Sequence, residues 1–353
     1  MPPTISWVRI LRAFLPLAIG PAGGLPAAEP SGPEMPMSPP RSSVVSINYH
    51  GWPDAILLSN GLVEAVIVPT IGRVMQFRFA GSQDGPFWEN PGLWGRRPNP
   101  GSEDWSNFGG DKAWPAPQAA WRRLALRDWP PPRSFDGAPM KAAIDGLTVT
   151  LISPEGPGFG MRVRRRIELA PDRPVMLITT SFDKITGSPL EAGVWVITQL
   201  KDPVAVYALL PDSAAPDAGY VRQSADLPTK LKRDNELLSL TRDPLKNHKI
   251  GTLAGTLVWI GPSEMVRIDS ALVPGGKYPD DGSSAEVYTN ADPLPYVELE
   301  LLGPLTRLAA GERMERLSSY ILVRRTDPEP ESDLRRLLAG EPGTTQWTAQ
   351  RTL

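Results

Sequence analysis

The stretch 105-WSNFGGDKAWPAP-117 combines flat aromatic side chains with amide, carboxylate and amine groups. Indole rings pack well against the C–H faces of sugar rings, and polar groups of this kind can hold sugar hydroxyls. Gly109 and Gly110 allow the backbone to approach a neighbour closely or to adopt positive φ. Alternatively, the tryptophans cover an open sheet end and the Asp-Lys pair lies in a solvated turn. The candidate ligand-binding residues of this stretch are Asn107, Asp111, Lys112 and Trp114.

A pair of carboxylates in 296-YVELELL-302 is the second candidate. Side chains alternate along a strand, so Glu298 and Glu300 would share one face, opposite the apolar residues of the strand. If that face lined a cleft, mutual repulsion and partial burial would raise one pKa and provide one acid and one base near neutral pH. The alternative is a solvated face whose carboxylates pair with neighbouring arginines, which is the commoner position of Glu in strands. Glu298 and Glu300 are therefore the candidate catalytic residues.

Two further candidates lie in a predicted strand and a predicted loop. In 194-VWVITQL-200, the alternation places Trp195, Ile197 and Gln199 on one face. An indole and an amide on one face would suit a bound ligand, or they could belong to the core with a satisfied amide. The segment 276-GKYPDDGSSAEVYTN-290 is predicted to be a turn-rich loop that leads into a short strand, and it contributes Lys277 as a candidate ligand.

Other kinds of chemistry lack the residues they need. The chain has two histidines, His50 and His248, and no cysteine. Neither histidine lies in a pattern that indicates a role, so both are predicted to be surface or structural residues. The HExxH, GxSxG, P-loop and GxGxxG motifs are absent from the sequence, and no metal site and no cofactor are predicted. A formal net charge of −2 without a basic cluster argues against a nucleic-acid partner.

Strands are predicted to position these side chains. With 41 prolines and 32 glycines in 353 residues, the chain leaves little room for long helices after residue 43. Short runs that alternate apolar and polar residues recur instead, each bounded by Gly, Pro, Asn or Asp. In 161-MRVRRRIEL-169 the odd-numbered residues, including Arg165, share one face. The pattern predicts an all-β fold, a large antiparallel sandwich. Predicted strands lie at 62–68, 74–79, 161–169, 175–182, 194–200, 256–261, 287–290, 296–302 and 320–325.

The two ends of the chain differ in composition from the middle. Residues 1–28 place two arginines ahead of a short apolar run and end in small residues, which is typical of a secretory signal peptide. Residues 29–43 form a Pro- and Ser-rich flexible linker, 44–326 the folded domain, and 327–353 a C-terminal tail with a short helix at 333–340. No apolar run is long enough to span a membrane. Export of a chain without cysteine predicts a periplasmic or secreted protein.

The order of these pieces resembles the galactose-mutarotase-like (aldose 1-epimerase-like) superfamily. The resemblance rests on SNGLVEAVIVPTIGRVMQFRF, FWENP, NFGGDKAWPAPQ and VWVITQL, followed by YVELELLGPL, LAAGE and YILVRR, and it covers about residues 44–326. More closely, the chain is similar to a branch of that superfamily known as a domain of unknown function. The resemblance implies a β-supersandwich, two large antiparallel sheets whose concave face holds a sugar.

The resemblance also implies roles for particular residues. Aldose mutarotases use a central-strand histidine as general acid and a late-strand glutamate as general base. The middle strand here has Gln199 and no histidine, so the resemblance implies a hydroxyl ligand at this position, while Glu298 or Glu300 stands near the base. The Gly-rich segment corresponds to a loop that contacts sugar hydroxyls, which favours Asp111, Lys112 and Trp114. The resemblance therefore implies sugar binding more than it implies catalysis.

Three functions remain open from the sequence. The first is an exported carbohydrate-binding protein that takes a monosaccharide or short glycan in a concave cleft. The second is an active epimerase or mutarotase in which Lys112, His50 or a carboxylic acid replaces the missing histidine. The third is a non-enzymatic envelope protein whose tryptophans form a flat apolar interface. The expected partner is a small carbohydrate, and the oligomeric state is left open.

Overall fold

The computed structural model describes residues 42–98, 105–211, 219–228 and 230–340. The predicted signal peptide, nearly all of the predicted linker and the end of the predicted tail lie outside these residues. The strands are β1 (Ser43–Tyr49), β2 (Trp52–Ser59), β3 (Val63–Val68), β4 (Arg73–Phe79), β5 (Asp111–Ala116), β6 (Lys141–Asp145), β7 (Thr148–Ile152), β8 (Met161–Leu169), β9 (Val175–Lys184), β10 (Leu190–Lys201), β11 (Ala205–Leu209), β12 (Val221–Arg222), β13 (Lys232–Asp234), β14 (Leu237–Leu240), β15 (His248–Thr252), β16 (Thr256–Ile260), β17 (Glu264–Asp269), β18 (Ala285–Thr289), β19 (Tyr296–Leu302), β20 (Thr306–Leu308) and β21 (Arg313–Arg324). The helices are α1 (Trp121–Ala125), α2 (Pro279–Gly282) and α3 (Pro330–Gly340), with 3-10 turns at Pro69–Ile71, Pro91–Leu93 and Gln118–Ala120.

The described strands form two antiparallel sheets. The first sheet has the order β1-β2-β3-β4-β5-β10-β19-β18-β15-β12, with β20 paired to β10. The second has the order β13-β14-β11-β16-β17-β21-β9-β8-β7-β6. The predicted all-β antiparallel sandwich is thus confirmed. Neighbours such as β5 and β10, or β10 and β19, are far apart in sequence, so their pairing depends on long-range contacts.

Apolar side chains from the two sheets form one continuous core between them. Val63 and Ile67 of the first sheet and Val163 and Ile167 of the second are fully buried in it. In β8 the odd-numbered residues face this core as their spacing predicted. Burial of this apolar surface is the dominant favourable contribution to folding.

A buried ion pair crosses the core between the sheets. The Arg165 side chain of β8 donates to the Asp111 side chain of β5, and both side chains are fully buried. Asp111 also accepts hydrogen bonds from Thr198 Oγ1 at 2.6 Å and from Tyr320 OH at 2.7 Å. Buried charges of this kind are tolerated because they are paired and hydrogen-bonded. The network fastens β5 and β10 to β8 and β21.

The faces turned away from the core are partly covered. Leu334 and Leu337 of α3 pack on the second sheet, and Asp333 of the same helix accepts a hydrogen bond from Arg325 Nε at 3.0 Å. On the first sheet, Trp52 and Phe108 belong to a cluster that covers β2 to β4. The neighbouring part of this face, over β5, β10, β19, β18 and β15, carries the candidate residues. None of the helices in the described ranges is long and apolar enough to cross a membrane.

Candidate functional site

The strand register of the first sheet collects most of the candidate residues on the face turned away from the second sheet, called the outer face below. Gln199 lies opposite Glu298 across β10 and β19, and Trp195 lies opposite Trp114 across β10 and β5. Cross-strand partners point to the same side of a sheet. The outer face therefore carries Lys112 and Trp114 of β5, Trp195 and Gln199 of β10, Glu298 and Glu300 of β19, Tyr288 of β18 and Lys249 of β15.

A pocket of about 660 Å³ opens over this part of the outer face. Its size is within the range typical of small-ligand sites, roughly 300–1,000 Å³. The lining residues are Asn90, Leu93, Trp105, Ser106, Asn107, Trp114, Gln118, Trp129, Trp195, Lys249, Tyr288, Asn290, Leu294, Tyr296 and Glu298. Lys112, Gln199 and Glu300 lie on the same face beneath this lining, buried by it.

Three indoles form one wall of the pocket, and two of them, Trp105 and Trp114, belong to the Gly-rich stretch at 105–117. Trp114 meets Trp195 at 5.3 Å between ring centroids with the planes at 89°, and it meets Trp105 at 6.4 Å with the planes at 72°. Edge-to-face packing of this kind fixes the orientation of each ring. Trp105 Nε1 also donates to Asp136 at 2.7 Å. The wall is apolar, rigid and continuous with the core.

Two glycines place the strand that carries this wall. Gly109 and Gly110 have φ values of 94° and 72°, in the region that favours glycine. A Cβ at Gly109 would lie 2.3 Å from the Trp88 carbonyl oxygen, and one at Gly110 would lie 2.5 Å from the Val74 carbonyl oxygen. The backbone at both positions thus approaches a neighbouring backbone so closely that only glycine fits, as the sequence suggested. These contacts fix the position at which β5 begins.

A buried ion pair lies against the indole wall. Lys112 Nζ donates to Glu298 Oε1 at 3.2 Å, and it lies 4.9 Å from the ring centroid of Trp114. Burial lowers the pKa of Lys112, and the negative charge of Glu298 opposes that change. The Lys112 side chain is 1% exposed, whereas that of Glu298 is 13% exposed and reaches the pocket. Glu298 therefore presents a carboxylate to the pocket whose position is fixed from behind.

A second charged group lies beside the first. Lys249 Nζ is 2.6 Å from Glu286 Oε2 and 3.1 Å from Glu300 Oε2, which also accepts from Trp195 Nε1 at 2.6 Å. Burial raises the pKa of Glu300 to about 8, with Lys249 opposing and the neighbouring carboxylates adding to the rise. Burial alone would lower the pKa of Lys249, but Glu300 and Glu286 outweigh it and raise that pKa. Burial thus favours the neutral form of Glu300, while the neighbouring carboxylates favour the charged form of Lys249.

Two amides at the site carry atoms without a partner in full hydrogen-bond geometry, although both amides lie close to the Tyr296 hydroxyl. Gln199 is fully buried, and neither atom of its side-chain amide has a partner in good hydrogen-bond geometry among the described residues. The Oδ1 atom of Asn107 likewise has no hydrogen-bond partner in good geometry within the described part of the chain. Buried polar groups are usually satisfied, so groups without a partner beside a pocket are candidates for contact with a ligand or a water molecule. Both residues were candidates from the sequence.

Two tyrosines complete the polar side of the pocket. Burial raises the pKa of Tyr288 to about 12, and its hydroxyl donates to Asn290 Oδ1 at 2.8 Å. Burial, followed by the negative charge of Glu298, also raises the pKa of Tyr296. Both hydroxyls consequently remain protonated over the physiological range and can donate or accept.

The structure does not bring Asp111 to the pocket, which corrects the sequence-based assignment. Asp111 and Lys112 are consecutive residues of β5, so their side chains point to opposite faces. Lys112 takes the outer face, and Asp111 therefore points into the core toward Arg165. Its role is structural.

Lys277 also has to be removed from the set of candidate ligands. It lies in the loop before α2 and lines a different cavity of about 700 Å³, together with Pro274, Tyr278 and Leu305. Its carbonyl oxygen accepts a hydrogen bond from the Leu305 amide at 2.7 Å. The sequence indicated the loop correctly but could not show which cavity it lines.

The histidines lie elsewhere, and two strands of the site, β5 and β15, were not predicted from the sequence. His248 is buried and its ring nitrogens lie 3.2 Å from the Asp226 carbonyl oxygen and 3.3 Å from Asp243 Oδ2. The His50 ring stacks on Trp94 at 3.8 Å and does not line the pocket. Lys249 escaped the sequence analysis because PLKNHKIG resembles a polar loop, although it contains β15. No group of three or more histidines or carboxylates in the described ranges is placed to hold a metal ion.

Comparison with known proteins adds fold-level similarity. No protein-family model and no curated protein sequence matches this chain. A galactose mutarotase-like protein from Lactobacillus casei is similar over 76% of this chain and 100% of its own length, with a TM-score of 0.53 and 11% identity. Galactose 1-epimerase from Lactobacillus acidophilus is similar over 81% of this chain and 99% of its own length, with a TM-score of 0.50 and 11% identity. A galactose mutarotase related enzyme from Lactobacillus acidophilus covers 77% and 97%, with a TM-score of 0.50 and 11% identity. The expected resemblance is confirmed at this level: the chain has the galactose mutarotase-like fold.

Proposed function

We propose that the pocket on the outer face binds a sugar ring and that the protein is a carbohydrate-binding protein. The observation that carries this proposal is the presence, in one pocket, of an indole wall and a carboxylate held in place by a buried amine. Sugar rings need both features, because they have an apolar face of C–H bonds and a rim of hydroxyls. The fold of the similar structures supports the proposal, since one of them is described as galactose 1-epimerase.

The contacts suggest how a ring would be held. Its C–H face would pack against Trp105 and Trp114, and its hydroxyls would donate to Glu298, whose position Lys112 fixes. The unpartnered Asn107 amide oxygen would accept a further hydroxyl, which removes an unfavourable buried group. Preformed contacts of this kind keep the entropic cost of binding low. The tryptophans line a pocket here, in contrast to the flat patch that an interface protein would need.

A second candidate function, interconversion of sugar anomers, is favoured by the two neighbouring carboxyls. Burial raises the pKa of Glu300, so this carboxyl could donate a proton, while Glu298 could accept one from an anomeric hydroxyl. Gln199 has no acidic proton and cannot replace the histidine of mutarotases. The Glu300 side chain is 1% exposed, so a sugar would reach it only after Lys249 or Trp195 moved. Binding therefore ranks ahead of conversion.

The test is a calorimetric titration of the purified chain with neutral and acidic monosaccharides, beside polarimetry on every sugar that binds. Glu298→Gln should weaken binding at least tenfold, because it removes the charge that orders the hydroxyls. Glu64→Gln is the matched control: Glu64 also pairs with a cation at 3.2 Å and is also 13% exposed, but it lies outside the pocket. Equal effects of the two substitutions, or no binding of any sugar, would contradict the proposal. Faster mutarotation that depends on Glu300 would establish the second candidate.

We also propose that the protein is exported to the periplasm or secreted. The support is the N-terminal order of arginines, apolar run and small residues ending at Ala28. Mass spectrometry of the protein expressed in full in a Gram-negative host should find a chain that starts near residue 29 in the periplasmic fraction. A full-length chain that stays in the cytoplasm would contradict export.

A further inference from the structure

Trp129 has an exposed indole at the edge of the pocket. It lines the same pocket as Trp105 and Trp114, yet 48% of its surface is exposed, while Trp114 is buried. Exposing a large aromatic surface to water is unfavourable. A half-exposed indole continuous with an aromatic wall is therefore a candidate contact surface.

Trp129 packs edge-to-face on the indole wall although its ring is exposed. Its centroid lies 5.0 Å from that of Trp105 with the planes at 70°, and 6.0 Å from that of Trp114 with the planes at 73°. No ring in the described ranges stacks parallel to it. Trp94 is a useful contrast: it is 42% exposed, but His50 stacks on it with an interplanar angle of 1°. Trp129 thus extends the indole wall outward with surface available for another ring.

Hydrogen-bonding groups flank the exposed indole. Gln118, which also lines the pocket, donates from Nε2 to the Asp128 carbonyl oxygen at 3.2 Å. The Asp128 side chain pairs with Arg122, and both of these side chains are exposed. An aromatic surface with an amide, a carboxylate and a guanidinium beside it repeats, at the rim, the combination found inside the pocket.

We propose that Trp129 forms a second subsite and that the ligand is a glycan of at least two sugar units. One unit would occupy the inner pocket and the next would pack on the exposed indole of Trp129. This inference rests on the proposed function and narrows it from a sugar ring to a chain of sugars. Trp94, equally exposed but outside the pocket, has no such role.

The test compares glucose, galactose and mannose with linear trisaccharides of each, by calorimetric titration of the full chain. The expected result is that at least one trisaccharide binds about tenfold more tightly than its monosaccharide, the gain expected from one additional aromatic contact. In Trp129→Ala this ratio should fall to near one, whereas in Trp94→Ala it should be retained. Because both side chains are near half exposed, both variants should fold, and circular dichroism and thermal unfolding check this.

Three outcomes would overturn the inference. Monosaccharides and trisaccharides could bind equally tightly, which would show that there is one subsite only and leave the proposed function standing. The trisaccharide advantage could survive Trp129→Ala, which would place the second subsite elsewhere. Finally, the unmodified chain could bind no sugar, which would remove the proposed function and this inference with it.

Discussion

Replacing Lys112 by methionine tests whether the pocket depends on its buried ion pair. Methionine has a similar length and no charge, so the substitution fills the space between the tryptophans but leaves Glu298 without its donor. In the folded protein, Lys112 Nζ lies 3.2 Å from Glu298 Oε1 and 4.9 Å from the Trp114 ring centroid. Both contacts are lost together.

The expected loss follows from the burial of the two partners. Removing one member of a fully buried pair costs about 3–5 kcal/mol, since the remaining charge is left uncompensated. Glu298 is 13% exposed and can be partly solvated through the pocket, so a smaller loss in the free energy of unfolding, about 2–3 kcal/mol, is expected. The double variant Lys112→Met/Glu298→Gln should lose less than Lys112→Met alone, with a coupling of about 1–3 kcal/mol.

Urea unfolding of the four proteins of this cycle, followed by tryptophan fluorescence and circular dichroism, measures the coupling. Lys201→Met is the control: its partner Asp84 is 76% exposed, and loss of an exposed pair should cost about 0–1 kcal/mol. A smaller loss for Lys112→Met than for the control, or single effects that simply add, would show that Lys112 and Glu298 are not coupled. Sugar binding by Lys112→Met, measured in parallel, should be weakened because Glu298 loses its fixed position.

Three further outcomes are expected. Burial raises the pKa of Glu300 from about 4.5 to about 8, so the stability contributed by its protonated form is complete below pH 4.5 and is lost as the pH rises toward 8. Glu300→Gln should therefore flatten the fall in unfolding free energy between pH 5 and 8 by up to about 1.4 kcal/mol per pH unit, as urea titrations at several pH values would measure. Asp111→Asn leaves the Arg165 guanidinium buried without a counter-charge and should lower the free energy of unfolding by about 3–5 kcal/mol, while calorimetric sugar affinity of the folded fraction stays unchanged. Gln199→Leu removes a buried amide that meets the Tyr296 hydroxyl only in poor hydrogen-bond geometry, so calorimetry should find a free energy of unfolding changed by less than about 1 kcal/mol and weaker sugar binding, because Tyr296 lines the pocket.

The period of two along each strand was enough to predict which residues share a face. It placed Glu298 with Glu300, and Trp195 with Gln199, and the structure has both arrangements. Alternation is a local property of extended backbone, so the sequence contains it directly. The sequence could not give the neighbours of each strand. The register that sets Gln199 opposite Glu298 joins positions 99 residues apart, and only the folded sheet determines it.

The errors have the same origin. The Gly-rich sequence around Asp111 predicts a loop, in which Asp111 and Lys112 could both reach a ligand. In the structure this segment is a strand, so the side chains of adjacent residues point to opposite faces of the sheet. One of the two charged side chains therefore has to enter the core. Lys249 was missed for the opposite reason, because β15 has a polar approach and too short an apolar run to be recognised as a strand. The errors at the site arose because two strands were not recognised, and not because the chemistry of the side chains was misjudged.

The ion pair between Asp111 and Arg165 also has a consequence for motion. Asp111 precedes Lys112 directly, so the strand under the inner pocket is fastened to the opposite sheet through Arg165 and Tyr320. Trp129, in contrast, follows α1 in a segment held on its outer side by exposed contacts such as the Arg122–Asp128 pair. We expect amide hydrogen exchange to be slow in β5 and fast around Trp129. Ordering on ligand binding would then be confined to the rim. The inner sugar ring would meet the rigid surface over β5, whereas the outer sugar ring would have to order the segment around Trp129 on which it packs.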